Sequence, residues 1–222
     1  MAVMRVRRTT LAVPGSNLRM ITKATELPAD AVFLDLEDAV SPLAKDQARA
    51  QVISALKDNS FGDRIVSVRV NARGTSWHET DVSDVVLQAG KFIDCIMLPK
   101  VQSADDVIAL ASDLTSLERE AGIEQGSIGL ELQIEDALGL VNVEQIAAAS
   151  ERIETLIFGP ADFMASINMK SLVVGDQPHG YTEGDAYHYV LMRLLVAGRA
   201  FGRQVIDGPY LGIKDQAGLR TA

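Results

Sequence analysis

The stretch Leu156-Ile157-Phe158-Gly159-Pro160-Ala161-Asp162 is a short continuous apolar run that stops at a Gly-Pro pair and an acidic residue. A strand apolar at successive positions is buried on both faces, and such strands belong to parallel sheets. Upstream, Ile128-Gly129-Leu130-Glu131-Leu132-Gln133-Ile134-Glu135 also ends on a carboxylate. Parallel α/β folds place their chemistry just beyond the carboxyl ends of their strands. Two carboxylates there, with no His or Cys close by, suit a hard divalent cation such as Mg²⁺. Arg69, in Ser67-Val68-Arg69-Val70-Asn71-Ala72, ends an earlier strand and completes a triangle able to bind a carboxylate. The pattern points to an enzyme.

Working outward, strands are expected at Thr9–Val13, Ala31–Leu36, Ile65–Val70, Cys95–Leu98, Ile128–Ile134, Thr155–Phe158 and Gln204–Ile206. Helical stretches separate them. Ser41-Pro42 predicts a capped start before Leu43 to Lys57, and Ser103 with Asp106 forms a capping-box pattern before Val107 to Glu120, closed by Gly122. Ser16 or Asn17 caps a helix running to Glu26, and a long helix is expected from about Glu183 to Phe201. The segment Asn168 to Tyr181, with Gly175, Pro178 and Gly180, reads as a loop inserted after the sixth strand.

Alternating β and α elements give either a (β/α)₈ barrel or an open doubly wound sheet. Polar residues end strand after strand (Glu37, Arg69, Lys100, Glu135, Asp162, Asp207), as expected of catalytic loops on one barrel face. The first strand is not followed by Gly-x-Gly-x-x-Gly, so the dinucleotide-binding alternative lacks its fingerprint. The expectation is a single barrel domain over residues 1–222 that lacks the eighth β/α unit.

Composition narrows the function classes. A chain of 222 residues with 47% hydrophobic content can bury a full core. Its net charge of −9 argues against a nucleic-acid partner and against an anionic membrane surface. The one cysteine, Cys95, sits in an apolar run and reads as a small buried hydrophobe, and a thiol-poor chain fits a reducing, cytoplasmic setting. Arg5, Arg7 and Arg8 near the start are not followed by an apolar segment long enough for a signal peptide. The histidines His78, His179 and His188 lack metal-ligand spacing and read as surface or packing residues, with Trp77 packing beside His78.

The motifs Leu11-Ala12-Val13-Pro14-Gly15-Ser16-Asn17, Leu34-Asp35-Leu36-Glu37-Asp38-Ala39-Val40, Arg69-Val70-Asn71, Met97-Leu98-Pro99-Lys100, Ile134-Glu135 and Phe158-Gly159-Pro160-Ala161-Asp162-Phe163 follow in that order. Together they strongly resemble the HpcH/HpaI aldolase–citrate lyase β-subunit superfamily, with the malyl-CoA/β-methylmalyl-CoA lyases as the nearest subgroup. The resemblance implies a TIM barrel holding Mg²⁺ through Glu135 and Asp162, with Arg69 binding the carboxylate of a 2-oxo acid such as glyoxylate or oxaloacetate. It further implies an acyl-CoA partner and a homotrimeric or hexameric assembly. Relatives carry an acidic catalytic residue on a C-terminal segment that nothing in this chain matches.

Each assignment has a structural competitor. Glu135 and Asp162 suit an ion pair or helix cap as well as a metal, and Arg69 suits a buried salt bridge to Glu37 or Asp38. Those two acids in turn are candidates to orient Arg69 and waters around the metal. Asp35 carries no assigned role. Backbone amides near Ala161 and Asp162 are candidates to bind the substrate carboxylate, since Pro160 has no N–H. Pro14-Gly15 permits a tight turn where a CoA tail approaches, or simply a turn. Lys100 suits either CoA phosphates or the cap of the fourth strand, and Asp207 either the site or a structural pair.

Overall fold

The computed structural model describes residues 5–175 and 177–221. Residues 1–4, Asp176 and Ala222 lie outside the described residues, and with them the start of the arginine-rich segment, one position of the 168–181 loop and the last residue of the expected domain.

Strands and helices alternate: β1 (Thr10–Pro14), α1 (Leu18–Ala24), β2 (Ala31–Asp35), α2 (Lys45–Asp58), β3 (Ile65–Arg69), α3 (His78–Ala89), β4 (Cys95–Leu98), α4 (Ala104–Ala121), β5 (Gly129–Ile134), α5 (Ala137–Val141), α6 (Val143–Ala148), β6 (Ile153–Phe158), α7 (Pro160–Ser166), α8 (His188–Ala200), β7 (Gln204–Ile206) and α9 (Gln216–Thr221). The strands lie in sequence order in one seven-stranded sheet, every neighbour parallel.

Why both strand faces are apolar becomes clear from their burial. Leu34, Val68, Ile96, Leu132 and Leu156 point outward into the core shared with the helices, where Val85, Val107 and Leu110 meet them. The alternate set, including Phe33, Arg69, Met97, Gln133 and Ile157, lines a cavity on the inner face. The sheet is therefore curled, with β1 and β7 residues (Thr10, Ile206) on the same cavity wall.

At the opposite end of the curl, polar side chains span the gap from the N-terminal segment to the last strands. Arg7 donates to Glu131 Oε1 (2.9 Å), Glu154 Oε2 (2.5 Å) and Gln204 Oε1 (2.9 Å), while Gln204 Nε2 donates to the carbonyl of Arg5 (2.6 Å). Cys95 is buried beside them, its sulfur 3.5 Å from Arg7.

Boundaries moved where side chains compete for backbone groups. The helix expected from Glu183 begins at His188 instead. Gln177 Oε1 takes the Ala186 N–H (2.8 Å) and Asp185 Oδ1 takes that of Tyr187 (2.9 Å), while Gly184 has a φ of 105°. Side-chain acceptors of this kind offer the chain a turn in place of a helix. Ser41 makes no capping bond, and a 3₁₀ turn over Pro42–Ala44 precedes α2. The Ser103–Asp106 capping box forms as expected and Gly122 ends α4 at a φ of 67°. Asn17 is the cap of α1, accepting from Met20 N (3.1 Å). Among the described residues no helix is long and apolar enough to cross a membrane.

The Arg7 side chain is 2% exposed and that of Arg8 is 79% exposed. Arg7→Ala leaves Glu131 and Glu154 facing each other without their shared cation and should cost about 3–5 kcal/mol. In urea unfolding, Arg8→Ala should leave the midpoint nearly unchanged; equal midpoints for the two variants would contradict this role of Arg7.

Candidate active site at the carboxyl ends of the strands

The β2–β3 register sets Asp35 directly beside Arg69. The two form a two-pronged pair, Arg69 Nε to Asp35 Oδ1 and Arg69 Nη2 to Asp35 Oδ2, each 2.7 Å. The same carboxylate accepts the N–H of Glu37 (2.8 Å) and of Ala39 (3.0 Å), so it shapes the loop after β2 while it aims the guanidinium. Burial opposes ionisation of Asp35, yet Arg69 and those two amides hold its carboxyl below the usual range. The Arg69 guanidinium also donates to Gln133 Oε1 (3.2 Å) and lies 5.4 Å from the Phe33 ring centre.

The closest partner of Arg69 is thus Asp35, a residue with no role assigned from sequence, and the expected salt bridge to Glu37 forms beside it. Glu37 Oε2 stands 3.5 Å from Arg69 Nη1, and no contact to Asp38 forms. Register decides this: Asp35 ends its strand level with Arg69, while Glu37 and Asp38 lie in the loop beyond. That loop is held from behind. Lys45 Nζ donates to the carbonyls of Leu36 (2.8 Å) and Glu37 (2.6 Å). Asn71 Nδ2 reaches the Leu36 carbonyl (3.0 Å), and buried His78 donates through Nδ1 to the Asn71 carbonyl (2.8 Å).

Glu135 follows β5 and is 3% exposed. The β5–β6 register pairs Ile134 with Phe158, so its carboxylate lies against Gly159, where a Cβ would collide with Oε2. Only glycine leaves that space. Lys100 N–H donates to Glu135 Oε1 (2.7 Å). Burial pushes the Glu135 carboxyl up to about 7; Lys100 opposes the rise, and the negative charges of Glu37 and Asp162 add to it. Asp162 stands in the first turn of α7, three residues past Gly159, where N–H groups have no intrahelical acceptor.

The Lys100 ammonium bonds Glu37 Oε1 and lies 3.6 Å from Asp38 Oδ1 and 3.5 Å from Asp162 Oδ2. Glu37 Oε2 is buried and accepts no hydrogen bond. Burial raises the Glu37 carboxyl, although Lys100 and Arg69 pull against it.

A cavity of about 700 Å³ opens over these strand ends, and Arg69, Glu135, Ala161, Asp162 and Asp38 all line it, as does Asp207. Glu37, Lys100, Pro14 and Gly15 do not line it. Gly15 packs tightly instead: its N–H donates to the Asp35 carbonyl (2.8 Å), and a Cβ there would sit 2.6 Å from that oxygen. Sequence reasoning missed Asp35 and Gln133. The available signal for Asp35 was register: the last residue of one strand facing the last residue of the next.

Among the described residues no cluster of three or more His, Cys, Asp and Glu has a metal-ligating arrangement. The donors fit Mg²⁺ nonetheless. That ion is commonly held by one or two carboxylates and completes its octahedron with water and substrate. A buried carboxylate as poorly compensated as Glu135, with a Glu37 oxygen that accepts no hydrogen bond nearby, is a surplus of negative charge that a cation would relieve.

Known proteins resemble this chain throughout. L-malyl-CoA/β-methylmalyl-CoA lyase of Cereibacter sphaeroides is 38% identical over 98% of this chain and 70% of its own length. Citrate lyase subunit β of Escherichia coli is 34% identical over 97% of this chain and 67% of its own length. The citrate lyase β subunit of M. tuberculosis, solved with oxaloacetate and magnesium, superimposes with a TM-score of 0.77 at 29% identity, covering 98% of this chain and 86% of that one. Fold, strand-end acids and relatives together define a carbon–carbon lyase. The chain belongs to the HpcH/HpaI aldolase/citrate lyase family, whose model matches residues 8–222.

The raised Glu135 carboxyl fixes a pH dependence. Its native form keeps a proton between the ordinary value of 4.5 and about 7, while the unfolded chain has lost it. Native stability should therefore fall as pH rises through that window. In chelator, denaturation of the wild type between pH 5 and pH 8 should show this loss, and Glu135→Gln should flatten it. Identical slopes would contradict the burial of an uncompensated carboxylate.

Proposed function

We propose that the chain is a Mg²⁺-dependent CoA-ester lyase. Its reaction is cleavage of malyl-CoA or β-methylmalyl-CoA to glyoxylate and acetyl-CoA or propionyl-CoA, or the reverse condensation. The observation that carries this reading is the joint presence of Arg69, Glu135 and Asp162 on one cavity wall. The likeness to relatives whose names specify malyl-CoA supports it. On the same reading the curled sheet is part of a (β/α)₈ barrel whose eighth unit this chain lacks.

Arg69 binds the carboxylate of the oxo acid through the guanidinium edge that Asp35 leaves free, and the two-pronged pair with Asp35 keeps that guanidinium aimed at the cavity. Glu135 and Asp162 are the cation's protein ligands. When bound, Mg²⁺ supplies Lewis-acid stabilisation to the substrate oxygen that alternates between hydroxyl and carbonyl. The N–H groups of Ala161 and Asp162, in the first turn of α7, face the remaining carboxylate oxygen. Glu37 and Asp38 orient the polar groups around this centre.

In cleavage the hydroxyl proton leaves, the C–O bond becomes C=O, and the C–C electron pair passes to the α-carbon of the thioester. The resulting enolate then takes up a proton. Holding the acid end rigidly is what commits that bond to break, because misplacement of reacting atoms by about 1 Å costs on the order of 10²-fold.

A second reading, cleavage of citryl-CoA or citramalyl-CoA, draws on the likeness to the oxaloacetate-bound structure. Purified chain with Mg²⁺ and malyl-CoA should release glyoxylate, trapped as its hydrazone, and chelator should stop it. Arg69→Lys should lower kcat/KM by roughly 10²-fold, since a lysine cannot reproduce the two-pronged pair with Asp35 while also presenting a donor to the substrate. Chelator-sensitive turnover of citryl-CoA alone would select the second reading. Absence of turnover on all four thioesters would contradict both.

A further inference from the structure

Lys100 stands just past β4 with a φ of 53°, a left-handed backbone that residues with a Cβ rarely adopt. Such backbone persists where the surroundings over-determine it, and it gathers at functional sites. Here the hydrogen bonds and ion pairs that Lys100 itself makes are all to acids. The Lys100 N–H holds Glu135 (2.7 Å), and its ammonium is bonded to Glu37 with Asp38 and Asp162 within 3.6 Å and 3.5 Å. One residue thus touches acids from the ends of β2, β5 and β6. Lys100 does not itself line the cavity that Asp38, Glu135 and Asp162 line.

This geometry separates two effects. The main-chain N–H fixes one Glu135 oxygen and leaves the other, Oε2, against Gly159. The ammonium shares Asp162 with whatever cation the cavity accepts. Two positive charges close to one carboxylate repel each other, and that repulsion is strong where burial lowers the effective dielectric. Glu37, with Oε1 bonded to Lys100 and Oε2 standing 3.5 Å from Arg69 Nη1, keeps hold of the ammonium when Asp162 is ceded.

We propose, resting on the divalent-cation reading above, that Lys100 is a built-in competitor that sets the cation affinity of the site: its ammonium neutralises the strand-end acids when no metal is present and must cede Asp162 when Mg²⁺ enters. It is a positioning residue and contacts neither substrate nor reacting atoms. The consequence is a weakened, readily reversible metal site rather than a permanently loaded one.

Calorimetric titration of Mg²⁺ into the full chain, freed of metal by chelator, tests this without reference to turnover, and Mn²⁺ paramagnetic resonance gives a second readout of the same site. Lys100→Met should bind Mg²⁺ roughly tenfold more tightly than wild type. Lys100→Arg, which keeps the charge, should stay close to wild type. Lys100→Gly adopts the left-handed backbone without strain and should tighten binding as Lys100→Met does, which guards against a methionine variant that fails to fold. Metal binding by the charge-free variants but not by wild type would also support the proposal. Wild-type binding that neither neutral variant strengthens would overturn it while leaving the metal reading intact. Failure of every form, wild type included, to bind Mg²⁺ or Mn²⁺ would overturn both.

Discussion

Glu135 is a carboxylate that the fold buries without giving it a full countercharge, and the rest of the site is arranged around that surplus. Its position follows from backbone geometry: the β5–β6 register sets it against Gly159, where no side chain could be tolerated. Water is largely excluded, so the carboxyl is driven up to about 7. Nearby, Glu37, Asp38 and Asp162 share a single ammonium, that of Lys100. Such a cluster is costly in the empty state and becomes favourable when a cation enters, which is the behaviour expected of a binding site rather than of a structural ion pair.

The second organising contact, Asp35 with Arg69, divides labour with the first. It ties β2 to β3, sets the loop bearing Glu37 and Asp38, and presents a guanidinium to the cavity. Lys45 and Asn71 hold the carbonyls of that loop from the helix side. On the proposed reading, anion recognition at the end of β3 and cation binding at the ends of β5 and β6 share one sheet, as a reaction that must hold an acid and polarise its adjacent oxygen requires.

Much of this was legible before any coordinates. Continuous apolar runs marked the parallel strands, because each buries one face against helices and the other inside the curl. Arg69, Glu135, Ala161 and Asp162 were identifiable as residues ending or just following such runs, and they do share a cavity. Asp35 was not, because its partnership depends on lateral register, which a single strand's pattern does not encode. Lys100 carried two meanings in sequence, phosphate binding and strand capping, and the contacts it makes, to Glu37, Asp38, Glu135 and Asp162, accompany a left-handed φ that only the folded backbone displays. The start of α8 was placed too early because Gln177, distant in sequence, takes an N–H that a helix pattern assigns to water.

Crystals soaked in Mn²⁺ and measured at its absorption edge offer the most direct test of the central claim. The account predicts one anomalous peak between the carboxylates of Glu135 and Asp162, within about 2.1–2.2 Å of an oxygen from each. A peak coordinated by neither, or its absence at saturating metal, would contradict it.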